Sequence, residues 1–323
     1  LFAVYFSPFF YLFLFFFQSL SRKIRYVDFL TRPVTTPTMA PNPTSSARQP
    51  LKLLMLHGYT QSGSLFHAKS RALTKHIQKA LPLHEVTTSY PTAPLRLRPS
   101  DIPGYEPSDS GIPDDDIEAY GWWRRSNSAN PPLYTGIEEG LSAVAKVLTD
   151  EGPFDGVIGF SQGAALAGMV AGLLEPGRKE VFAQFAKDES EGAAGMPFPS
   201  AFDESAGFAH PPLKFALCYS GFRAPGPRYR GFYDNPPIQT PVLHVLGSLD
   251  AVVDEERSRA LIDACRGQPE KEGLVVWHPG GHFLPSQRPY LDAAVRFIRE
   301  QLEKGAAGEK EEEEDVNDMD MPF

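Results

Sequence analysis

From residue 51 onward, two hydrophobic periods alternate along the chain. Short apolar runs at 51–56, 85–89, 154–158, 213–219, 241–246 and 274–277 fit strands. Between them, 64–81 repeats apolar residues at helical spacing (Leu65, Ala68, Ala72, Leu73, Ile77, Ala80), and 137–149, 164–171, 255–265 and 289–303 read as further helices. Thr135 is the expected N-cap for the helix at 137–149. Residues 91–116, rich in Pro, Gly and Asp, read as a long irregular loop, and 182–212 as an Ala/Gly/Pro/Ser-rich insertion. Strand and helix taking turns predicts an α/β fold, with a mainly parallel central sheet and helices on both faces. In such sheets reactive groups collect at the carboxyl ends of the strands. His57-Gly58, Ser161, Asp250 and His282 each follow an apolar run and so share that edge.

The ends of the chain break this pattern. Residues 1–20 are almost wholly apolar and Arg22, Lys23 and Arg25 follow, which matches a membrane-spanning anchor with the body on the cytoplasmic side. Met39-Ala40-Pro41 reads as an ordinary N-terminus, and the favoured reading of 1–38 is an incorrect gene-model extension. The expected divisions are a leader at 1–38, a polar lead at 39–50, a catalytic body at 51–304 and a disordered acidic tail at 305–323. The chain has 323 residues and a formal net charge of −9. Residues 309–323 hold eight acidic residues and one basic, so much of that charge is local. A mildly acidic body has no electrostatic footprint for nucleic acid. Two cysteines, Cys218 and Cys265, are too few for a disulfide framework and fit a reducing, cytoplasmic setting. Cys218 lies in an apolar run and reads as a core residue. No Cys-x-x-Cys or His-x-x-x-His spacing points to a metal.

Gly159-Phe160-Ser161-Gln162-Gly163 carries the chemistry. Gly-x-Ser-x-Gly between a strand and a helix is a nucleophile elbow, a tight turn that holds the serine hydroxyl in the open. Serine needs a base to take its proton, and the order in such folds is Ser, then Asp or Glu, then His. Of the four downstream histidines, His282 stands in a Gly-rich loop after a strand. His278 lies at a strand end, His244 inside a strand and His210 in the insertion. Asp250 directly follows a strand and is the expected partner of His282, whereas Asp254 precedes a helix and reads as its cap. An oxyanion hole needs two N–H donors: that of Gln162, and one from the loop at 57–60, with Tyr59 preferred over Thr60. His57 reads as a brace for that loop. Gln61 or Ser62 is expected to line the site, and Trp122, Trp123, Tyr105 and Tyr134 to form either an acyl-binding wall or ordinary aromatic packing. Ser220 and Ser248 lack the elbow context.

Leu54–Gly63, Tyr134–Glu139, Asp155–Ala164, Thr240–Asp250 and His278–His282 together resemble the fungal-rich family of serine hydrolases within the α/β-hydrolase superfamily. The resemblance covers roughly 51–302. It implies hydrolysis of carboxylic esters or thioesters without a cofactor, with Ser161, Asp250 and His282 inheriting the triad roles. Carrier-bound polyketide acyl chains of fungal secondary metabolism are among the substrates it implies. Acyl-protein thioesterases and related carboxylesterases share a similar first loop and elbow and are the nearest enzymatic rival. A non-catalytic binding protein on the same fold is the alternative of a different class. The expected partner is an ester or thioester substrate, small or carrier-bound. A membrane enters only if residues 1–20 are a real span.

Overall fold

A computed structural model describes residues 48–98, 101–102, 118–126, 128–188 and 194–319. The leader at 1–38, most of the polar lead, Tyr105 and most of the 91–116 loop lie outside them.

Six parallel strands form the central sheet: β1 (Gln49–Leu56), β2 (His84–Ser89), β7 (Gly156–Phe160), β8 (Phe215–Tyr219), β9 (Val242–Gly247) and β10 (Val275–His278). Their order is β10-β9-β8-β7-β1-β2. The chain moves outward from β1 to β2, then returns to β7 on the other side of β1. That reversal makes β1 and β7 the topological switch point, and the carboxyl ends of such strands are the usual place for a ligand in an open α/β sheet.

Side chains on successive strand positions alternate between two cores. Leu51, Leu53 and Met55 join Phe215, Leu217 and Tyr219 beneath α1 (Gly63–Ala80) and α6 (Arg288–Met319). Leu54, Leu56, Ala216 and Cys218 face the opposite way, toward α2 (Ile137–Glu151) and α3 (Gln162–Leu173). All twelve residues of α3 are buried, as its lack of a polar face requires. Two further helices, α4 (Arg178–Phe185) and α5 (Glu255–Asp263), complete the layers. Within the 182–212 insertion, α4 is followed by single-turn helices at Ser200–Phe202 and Glu204–Ala206.

Two small antiparallel ribbons lie between β2 and α2. β3 (Leu95–Arg96) pairs with β4 (Tyr120–Gly121), and β5 (Arg124–Arg125) with β6 (Tyr134–Thr135). β6 corrects the expected cap of α2. Thr135 is committed to pairing with Arg124, and Gly136 at φ 85° is the N-cap. The closing helix also runs past Glu303 to Met319, through the segment expected to be disordered. Ala, Glu and Lys dominate that stretch and are strong helix formers. Among the described residues no helix is long and apolar enough to cross a membrane.

Candidate active site

The elbow follows from the crowding around it. A Cβ on Gly163 would stand 2.1 Å from the Leu56 carbonyl oxygen, and one on Gly159 would stand 2.2 Å from that of Gly163. Only glycine lets α3 start this close to β1 and β7. Ser161, between them, has φ 54° and ψ −117°, a conformation that persists only where its surroundings enforce it. They do so here through its N–H, donated to Tyr219 O at 2.8 Å, and its carbonyl, which accepts from Ala164 and Ala165. The residue is 8% exposed.

His282 Nε2 lies 2.9 Å from Ser161 Oγ, and His282 Nδ1 lies 2.8 Å from Asp250 Oδ2. A carboxylate only accepts, so Nδ1 carries the proton and Nε2 is left free to accept from the serine hydroxyl. Asp250 Oδ1 accepts from the N–H groups of Val252 and Val253, each at 2.9 Å, which fixes the plane of the carboxylate. Burial pushes the Asp250 pKa up, but the hydrogen bonds from Val253, His282 and Val252 outweigh it. The carboxyl is held below its ordinary value.

Acid and base loops are stitched together. Ser248 N–H donates to His278 O at 2.9 Å and Leu249 N–H to Gly280 O at 3.0 Å. A Cβ on Gly247 would meet the carbonyl oxygens of Gly280 and Gly281 at 2.5 Å, so this glycine permits the approach. Phe160 packs on the imidazole of His282 with ring centroids 4.9 Å apart.

Candidate oxyanion donors separate cleanly. Thr60 N–H is donated to Tyr120 O at 2.9 Å and is spent. The N–H groups of Tyr59 and Gln162 meet no acceptor among the described residues. Gln162 opens α3, where the first N–H groups have no partner within the helix and the dipole favours negative charge. His57 braces the first loop. Its Nε2 accepts from Ala93 N–H at 2.9 Å, so Nδ1 is the protonated nitrogen and donates to Gly58 O at 2.8 Å. Burial lowers its pKa to about 4, against the raising effect of the Gly58 hydrogen bond, and keeps it neutral.

Of the two readings of the aromatic group, packing describes Trp122, Trp123 and Tyr134. Trp122 and Trp123 are fully enclosed, Trp123 stacking on Tyr134 with ring centroids 4.8 Å apart and Tyr134 on Tyr229 at 5.0 Å. α2 comes within reach because Gly140 is bare: a Cβ there would stand 2.2 Å from Trp122 O. Gln61 also turns inward, its Oε1 accepting from Gly58 N–H at 3.3 Å, and Ser62 caps α1 by accepting from Leu65 N–H. The remaining candidates other than Ser220 have structural partners. Asp254 caps α5 through Arg257 N–H. His210 accepts from Phe154 N–H, His244 is buried beside Cys265, and His278 accepts from Gly280 N–H. Ser248 Oγ donates to His278 O, and Ser220 is buried at the end of β8. Both cysteines are free and buried, and burial pushes the Cys218 thiol up to about 12. Among the described residues no group of His, Cys, Asp and Glu could hold a metal ion.

The family model described as serine hydrolase (FSH1) matches residues 45–294, a span that contains the elbow and both loops. The chain belongs to the FSH1 serine hydrolase family. It is an enzyme of the serine hydrolase class on an α/β fold, a parallel six-stranded sheet with helices on both faces. This hydrolase is 31% identical over 259 residues to esterase OVCA2 of Danio rerio, covering 77% of this chain and 98% of that one. It is 32% identical over 254 residues to a Schizosaccharomyces pombe protein named dihydrofolate reductase. That match covers 77% of this chain and 47% of the relative, so the hydrolase spans about half its length. A maize acyl-protein thioesterase 2 superposes with a TM-score of 0.48 at 20% identity, covering 80% of this chain and 96% of the other. That similarity is too distant to speak of a substrate.

Proposed function

We propose that Ser161, His282 and Asp250 are the catalytic triad of this hydrolase, and that it cleaves carboxylic esters or thioesters through an acyl-enzyme. The observation that carries the reading is the unbroken relay from Ser161 Oγ to His282 at 2.9 Å and from His282 to Asp250 at 2.8 Å. As Ser161 Oγ bonds to the acyl carbon, its proton passes to His282 Nε2, and Asp250 stabilises the imidazolium. The oxyanion accepts hydrogen bonds from the free N–H groups of Gln162 and Tyr59. Collapse breaks the bond to the leaving oxygen or sulfur, which takes the proton from His282. Water then attacks the acyl carbon and gives a proton to His282; collapse breaks the bond to Ser161 Oγ, which takes that proton back from His282, and the carboxylic acid leaves and ionises.

The substrate is an ester or thioester of small or carrier-bound form. Carrier-bound acyl thioesters of secondary metabolism are the specific class we assign for testing. Two free, buried thiols support a reducing, cytoplasmic compartment. A panel of p-nitrophenyl esters, acyl-coenzyme A thioesters and a phosphopantetheine-linked acyl carrier tests these assignments. The parent turns over at least one class, and Ser161→Ala loses about 10⁶-fold in kcat. Full turnover by Ser161→Ala contradicts the triad, and turnover of oxygen esters alone removes the thioester assignment.

A further inference from the structure

Trp122 and Trp123 are among the most enclosed side chains of the described residues. Their surroundings give them another task. The side-chain amide of Gln162 is buried and held at both ends: Oε1 accepts from Trp122 N–H at 2.8 Å and Nε2 donates to Trp123 O at 2.8 Å. The same segment is pinned to the first loop by three bonds. Trp122 Nε1–H donates to His57 O at 2.9 Å, Thr60 N–H to Tyr120 O at 2.9 Å, and Tyr120 N–H to Gln61 O at 3.1 Å. Tyr59 lies at the centre of that pinned loop, and its ring packs so closely on Gly121 that a Cβ there would stand 2.7 Å away. The two free N–H groups at the site therefore belong to separate loops, and Tyr120–Trp123 is bonded to both.

We infer that Tyr120–Trp123 is a strut that sets the separation of the two oxyanion donors, and that the side chain of Gln162 is the positioning group fixing the strut to the elbow. This rests on the triad reading above and assigns a role to parts of the chain that reading does not use. The chemistry selects glutamine. The strut offers one N–H and one C=O side by side, and a primary amide answers both. A carboxylate would set an oxygen against Trp123 O. An apolar side chain of similar length would leave both backbone groups buried and unpaired, a state that drives them to shift. The residue that donates to the oxyanion through its backbone thus also holds, through its side chain, the segment that carries the second donor's loop.

The test is Gln162→Met, which keeps length and loses both bonds, beside Trp122→Phe, which keeps a ring and loses only the bond to His57 O. Each is assayed on a soluble p-nitrophenyl ester and for inhibition by an aryl trifluoromethyl ketone, whose serine adduct bears an oxyanion. Moving a donor rather than deleting it predicts a fall in kcat of roughly 10- to 100-fold for Gln162→Met, with KM within about threefold. The trifluoromethyl ketone weakens by the same factor, and Trp122→Phe shows a smaller loss of the same kind. Gln162→Glu resembles Gln162→Met rather than the parent. A folded Gln162→Met with parental kcat overturns the strut, as does a lowered kcat with unchanged trifluoromethyl ketone affinity. If Gln162→Met fails to fold, parental kcat and ketone affinity in Trp122→Phe overturn it. Failure of the triad reading is separate, because it appears as retained turnover in Ser161→Ala.

Discussion

Exchange of Asp250 for asparagine reverses the proton inventory of the triad while changing its shape little. Asp250 Oδ1 accepts two backbone N–H groups, from Val252 and Val253, and Oδ2 accepts the Nδ1 proton of His282. An asparagine must keep its carbonyl oxygen toward the two N–H groups, since turning the amide over would set donors against donors. Its NH₂ then faces His282 Nδ1, which can only accept. The imidazole is forced into the other tautomer, with the proton on Nε2, pointing at Ser161 Oγ, and the base is lost. In serine protease triads the same exchange costs about 10⁴ in kcat. At 1.36 kcal/mol per tenfold, that is roughly 5 kcal/mol of transition-state stabilisation. Steady-state hydrolysis of a p-nitrophenyl ester at pH 7.5 reads it, with a thermal melt to show that Asp250→Asn is folded. A folded variant within tenfold of parental kcat would refute both the tautomer argument and the place of Asp250 in the relay.

Three further outcomes follow from the geometry. Gly247→Ala drives a Cβ into the carbonyl oxygens of Gly280 and Gly281 and pushes the base loop off the acid loop; kcat should fall about 10²-fold with the fold intact, and parental kcat would contradict the need for that contact. Glu175, at the far end of the sheet, pairs with buried Arg178 at 2.6 Å and accepts from the N–H groups of Gln239 and Thr240. Glu175→Gln strands the guanidinium and should cost about 3–5 kcal/mol in urea unfolding with little change in kcat per folded molecule; an unchanged midpoint would contradict it. Burial holds His57 at about 4 and His244 at about 3, so both stay neutral in the fold while the unfolded chain takes up protons below 6.5. Their contribution is complete above about pH 6.5 and drains as the pH falls toward those values, roughly 3 kcal/mol for His57 by pH 4; a melting temperature constant from pH 8 to pH 5 would contradict it.

The sheet and the placing of Ser161, Asp250 and His282 were legible because each depends on local pattern. Apolar runs mark strands, and reactive residues that follow them must share an edge. The failures have tertiary causes. Strands of two residues, β3 to β6, carry no period to read, yet they hold the segment that links the elbow to the first loop. The sequence leaves Trp122 and Trp123 open between a binding wall and ordinary packing because they border a long loop, and the close approach of α2 to Trp122 O that Gly140 allows cannot be seen in the local pattern. Thr135 has the chemistry of a cap but is claimed by β6. Gly247 gives no sign in the sequence of the carbonyl oxygens it must admit. The elbow motif marks the backbone of Gln162 and is silent on its side chain.

The central claim is that Ser161 is an activated nucleophile, and fluorophosphonate labelling followed by peptide mass spectrometry tests it most directly. The relay through His282 to Asp250 predicts a single adduct on Ser161 in the parent and none in Ser161→Ala. A folded parent that takes no adduct, or an adduct that persists in Ser161→Ala, would contradict it.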